Sequence, residues 1–162
     1  MTTQTDYTPQ EWEQLKDLPY LAAAGVVGSS HRGAIKKIKE AFSIISSARN
    51  SAKQFPNNEL IQSLSSEHNI QHDSKDHEST TLDNNEEITA YALEQCREVI
   101  SILESKSTPE EATEYKRWIV LSAEHVANAA KSGGFLGLGP KHIDADEARF
   151  LQNLKETLGL QE

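Results

Sequence analysis

The chain has 162 residues, 36% of them hydrophobic, and its 16 Lys and Arg against 25 Asp and Glu give a formal net charge of -9. That length suits a single domain with its own core, and the acidic balance repels phosphate backbones and anionic headgroups, which sets nucleic acid and membrane surfaces aside as partners. A lone Cys96 excludes an internal disulfide, MTTQTDYTPQ lacks the basic and apolar regions of a secretory signal, and neither LPYLAAAGVV nor WIVLSAEHVANAA reaches the roughly 20 apolar residues of a membrane span; a cytoplasmic protein is expected.

The first helix is predicted at Thr8-Pro9-Gln10-Glu11, where Thr8 caps, Pro9 suits the first helical position and Glu11 closes a capping box; it carries Trp12 and Leu15. Pro19 predicts a restart, and the small residues from Leu21 to Val27 predict a second, closely packed helix ended by Gly28-Ser29-Ser30. From Gly33 to about Lys53, Ile35, Ile38, Phe42 and Ile45 recur at spacings of three and four, as on one face of an amphipathic helix. Pro56 predicts the opening of a short helix through Leu60, Ile61 and Leu64 to Glu67.

Residues 68–85, HNIQHDSKDHESTTLDNN, hold almost nothing apolar and read as a polar, flexible loop between two halves. Ile88, Tyr91, Ala92, Cys96, Val99 and Leu103 then mark one helix face ending near Lys106, with Cys96 as a small core residue. Thr108-Pro109-Glu110-Glu111 repeats the start signal, and the helix it opens is apolar nearly all round, which predicts the central helix, stopping at Ser132-Gly133-Gly134. The last helix takes Asp144 as cap and Glu147 three residues on, buries Phe150, Leu151, Leu154 and Leu158, and ends at Gly159. With no alternating strand pattern, the expectation is one all-α multihelical domain over 1–162, of about seven helices.

Four constellations invite a chemical reading. His68, His72 and His77, with Asp73, Asp76 and Glu78, are donors that can gather a divalent metal, but their spacing matches no rigid ligand frame and a solvated linker accounts for them better. Asp144, Asp146 and Glu147 can offer oxygens to a hard cation; the same carboxylates complement the positive end of a helix, and their spacing is not that of an EF-hand loop. Phe135, Leu136 and Leu138 sit in a glycine-rich segment that follows a helix and not a strand, without a nucleotide-binding pattern; they tuck under the core or meet a protein partner. Glu124 and His125 interrupt an apolar helix and would mark an enzyme if they lined a pocket, yet neighbours on a helix point about 100 degrees apart and no Glu-x-x-His pair occurs. No catalytic residue or organic cofactor site is assigned; a divalent cation is the one cofactor considered.

The stretch KSGGFLGLGPKHIDADEARFLQNLKETLGL, Lys131 to Leu160, resembles the ending of TerB-like tellurite-resistance domains, in which a small-residue helix leads through an acidic loop into a helix finishing in Leu-Gly-Leu. LPYLAAAGVVGSSHRGAIKKIKEAF is similar to a degenerate form of the same unit, which implies two helical halves. The resemblance implies a stress-associated, non-catalytic helical protein, with the acidic, metal-interacting pattern carried over to Asp144, Asp146 and Glu147. The family's Ala-Asp-Gly is replaced here by Lys131-Ser132-Gly133, and Gly28-Ser29-Ser30 supplies no carboxylate. The expected function is an interaction module linked to tellurite or other stress, with the metal-responsive and enzymatic readings as alternatives.

Overall fold

A computed structural model of the chain describes residues 1–29, 46–67, 85–132 and 145–160. The fold is all-α. After a 3-10 turn at Gln4–Asp6 come α1 (Pro9–Ser29), α2 (46–52), α3 (Glu59–Glu67), α4 (Asn85–Lys106), α5 (Pro109–Ser132) and α6 (Ala145–Thr157), with no strand among the described residues. Nor, among those residues, is any helix long and apolar enough to cross a membrane.

The helix ends follow the sequence signals closely. Thr8 and Glu11 form the expected capping box: the Thr8 amide donates to Glu11 Oε2 at 2.7 Å and the Glu11 amide to Thr8 Oγ1 at 3.2 Å. At the far end of α6, Gly159 has φ +68°, while its amide donates to the Glu156 carbonyl and that of Leu160 to the Lys155 carbonyl, the paired bonds of a Schellman ending. Asn58, rather than Pro56, opens α3: its Oδ1 accepts from the Ile61 amide at 3.0 Å, and the helix starts at Glu59.

Pro19 does not restart a helix. α1 runs unbroken through it, which merges two expected helices into one and gives six helices among the described residues instead of about seven. Proline has no N–H to offer the carbonyl four residues back, here that of Leu15. The deficit is met from α5, where the buried Tyr115 hydroxyl donates to the Leu15 carbonyl at 2.6 Å. The break expected from local chemistry is thus repaired by a tertiary hydrogen bond.

α1 and α5 share the middle of the molecule, each lying against α3, α4 and α6 as well as against one another. Trp12, Leu15, Leu18, Ala22 and Val26 recur along the buried stripe of α1 and meet Ala92, Cys96, Val99 and Leu103 of α4 and Tyr115, Trp118 and Ile119 of α5. Truncating a fully buried leucine such as Leu15, Leu103 or Leu154 to Ala would cost about 2–5 kcal/mol. Gly25 is the closest approach: a Cβ there would overlap the ring of Phe150, so α6 sits on α1 through a side chain resting on bare backbone. Tyr91 departs from its expected face and is 39% exposed, because it lies one position ahead of the buried Ala92-Cys96-Val99-Leu103 series.

Candidate functional site

Two polar clusters are built into the helical frame. The first ties α2 to α5. Ser51 Oγ lies 2.8 Å from both the Ser47 carbonyl and Ser122 Oγ, Ser122 Oγ donates to the Trp118 carbonyl at 2.8 Å, and Trp118 Nε1 donates to the Ala48 carbonyl at 2.9 Å. All are buried, and each hydroxyl is engaged with backbone, the usual way a helix interior accommodates serine. No base stands beside either serine among these contacts, so the pair serves as a helix seam.

The second cluster fastens the N-terminal segment over the junction of α4 and α5. Lys106, the last residue of α4, donates to the Asp6 carbonyl at 3.1 Å and to Glu11 Oε2 at 2.6 Å, with its ammonium 5.5 Å from the centre of the Tyr7 ring. Tyr7 Oη is 2.8 Å from both Thr2 Oγ1 and Ser107 Oγ. The Lys106 ammonium and the Thr8 amide hold the Glu11 carboxyl below its ordinary range, and the Thr3 amide and hydroxyl do the same to Asp6. Glu111 differs from Glu11 although both follow a Thr-Pro-x-Glu start. Its amide takes the Thr108 cap at 3.2 Å, but its buried carboxylate reaches away and accepts from the Thr2 amide at 2.8 Å.

The residues singled out in the sequence are not brought together. Glu124 pairs with Lys155 of α6 at 3.0 Å, and His125 beside it is half-buried. Asp146 lies in the first turn of α6 with Arg149 at 3.5 Å, and Glu147 is buried in that turn. Both occupy the positions that complement a helix N-terminus. Asp144, His68, His72, His77, Phe135, Leu136 and Leu138 lie outside the described residues. Among the described residues, no group of three or more His, Cys, Asp or Glu side chains is placed to hold a metal ion. Cys96 is fully covered in the core, where burial pushes its thiol up to about 12, so the nucleophilic thiolate is suppressed at neutral pH.

Sequence reasoning missed Glu111 as anything beyond a cap, and missed the Tyr115 hydroxyl altogether. The Thr-Pro-x-Glu motif located Glu111 but said nothing of what its carboxylate would meet 109 residues away. Comparison of the chain with protein-family models, curated proteins and solved structures gave no match.

Proposed function

We propose that this protein is a non-enzymatic helical interaction module, stress-associated in the manner of TerB-like tellurite-resistance domains. One observation carries the reading: Glu124, Ser51, Ser122 and Cys96, four of the chemistry-bearing side chains of the described helices, are committed to holding the fold. Glu124 is paired with Lys155, Ser51 and Ser122 bond one another and backbone carbonyls, and Cys96 is sealed in the core. A group engaged in this way would have to give up a structural partner before it could act on a substrate.

On this reading the partner is recognised by the Gly133 to Pro140 sequence, whose Phe135, Leu136 and Leu138 are apolar residues set among glycines. Affinity capture from the native host, with and without tellurite stress, tests it. A specific protein retained by the wild-type chain and lost with Phe135→Ser plus Leu138→Ser is the expected result. Equal retention by both chains would contradict it.

A further inference from the structure

Among the described residues, Glu111 is the buried acid whose carboxylate has one oxygen engaged and the other without a partner. The residue is 1% exposed; Oε1 accepts from the Thr2 amide at 2.8 Å, while the buried Oε2 has no hydrogen-bond partner among the described residues. Lys106, a cation in the same corner, is committed to Glu11 and the Asp6 carbonyl. A buried carboxylate with a bare oxygen is costly, and what relieves it is a donor carrying positive charge at the place where Thr2 N already sits. A peptide amide supplies one proton and no charge; an α-ammonium at the same atom supplies three protons and a full charge. Met1, by contrast, is 61% exposed, and its described polar contact is a sulfur 3.5 Å from the Glu59 amide.

We propose that the Met1–Thr2 bond is a processing site, and that the α-ammonium released on Thr2 is seated on the buried Glu111 carboxylate as an ion pair. The step is a hydrolysis by a peptidase that accepts a small residue after the scissile bond. One water is consumed, the C–N bond breaks, a carboxylate remains on Met1 and the amine of Thr2 takes a proton. The inference rests on the Thr2 to Glu111 contact and is the same whether Met1 alone or a longer preceding segment is removed. Processing completes the clasp that Tyr7, Ser107 and Lys106 begin, so it locks the N-terminal segment onto α4 and α5.

N-terminal sequencing and intact mass of the protein purified from its native source are expected to give Thr2 first, with a free amine. A first residue of Met1, or a blocked Thr2, would overturn the proposal. In parallel, chains starting at Met1 or at Thr2, released from a removable fusion, are melted with Glu111 and with Glu111→Gln. The Thr2 chain is expected to melt about 3–6 °C above the Met1 chain when Glu111 is present. That advantage should shrink to about 1 °C or less with Glu111→Gln. An advantage of equal size in both backgrounds would overturn it. Should Glu111→Gln not fold, the Thr2 chain acetylated at its α-amine takes its place: melting with the Met1 chain supports the ion pair, and melting with the free-amine chain refutes it.

Discussion

Tyr115 carries a core hydrogen bond whose acceptor is a carbonyl that proline has deprived of a partner. Tyr115→Phe removes the donor and leaves the Leu15 carbonyl buried and unpaired, an expected loss of about 1–3 kcal/mol by urea unfolding. Pro19→Ala restores an N–H four residues after Leu15, so in that background the same substitution should cost clearly less. Equal costs in the two backgrounds would show that the tyrosine acts through packing alone. The same residue, with Cys96, makes the stability of the fold sensitive to alkaline pH. Burial raises the Tyr115 hydroxyl well above its ordinary 10.0 and the Cys96 thiol from 9.0 to about 12. Both groups keep their protons in the folded state after the unfolded chain has lost them, so this contribution is intact below pH 9 and stability falls as pH rises from 9 towards 12. Unfolding midpoints measured from pH 8 to pH 11 check the sign, and Cys96→Ala should flatten the first part of the decline.

At the scale of the element, the contact between α1 and α6 depends on an absent side chain. Gly25→Ala puts a methyl group into the Phe150 ring, and because that ring is itself buried it has little room to turn away. The expected cost is about 1–3 kcal/mol, with partial recovery by Phe150→Leu, read as the difference between single and double variants in chemical denaturation. The sequence made most elements legible: the Thr8 capping box, the stop at Gly159 and the Ala92-Cys96-Val99-Leu103 stripe are local signals with local outcomes. It misled where tertiary contacts override local chemistry. Pro19 reads as a break because its missing N–H is visible in the sequence and the Tyr115 hydroxyl that compensates for it, 100 residues from the Leu15 carbonyl it bonds, is not. The two Thr-Pro-x-Glu starts read alike, yet Glu11 closes its box and pairs with Lys106 while Glu111 is buried and turned to Thr2.

For the whole molecule, an all-α architecture follows from periodicity, but a function does not, because Glu124 and Cys96 are tied into the frame and the His-rich and glycine-rich segments lie outside the described residues. Glu124 looked like a tuned acid inside an apolar helix; with Lys155 supplied by α6 it is a strut between two helices. On the proposed reading, partner binding draws on Phe135 and Leu138, while Cys96 and Glu124 serve the stability of the fold. Quantitative capture of a host protein, with and without tellurite stress, by four chains of matched folded fraction tests this most directly: wild type, Cys96→Ala, Glu124→Gln, and the Phe135→Ser, Leu138→Ser pair. Wild-type recovery is expected for Cys96→Ala and Glu124→Gln, and at least about a tenfold drop for the Phe135→Ser, Leu138→Ser pair, the scale of losing one hot-spot contact. Recovery abolished by Glu124→Gln or Cys96→Ala but unchanged in the Phe135→Ser, Leu138→Ser pair would contradict it.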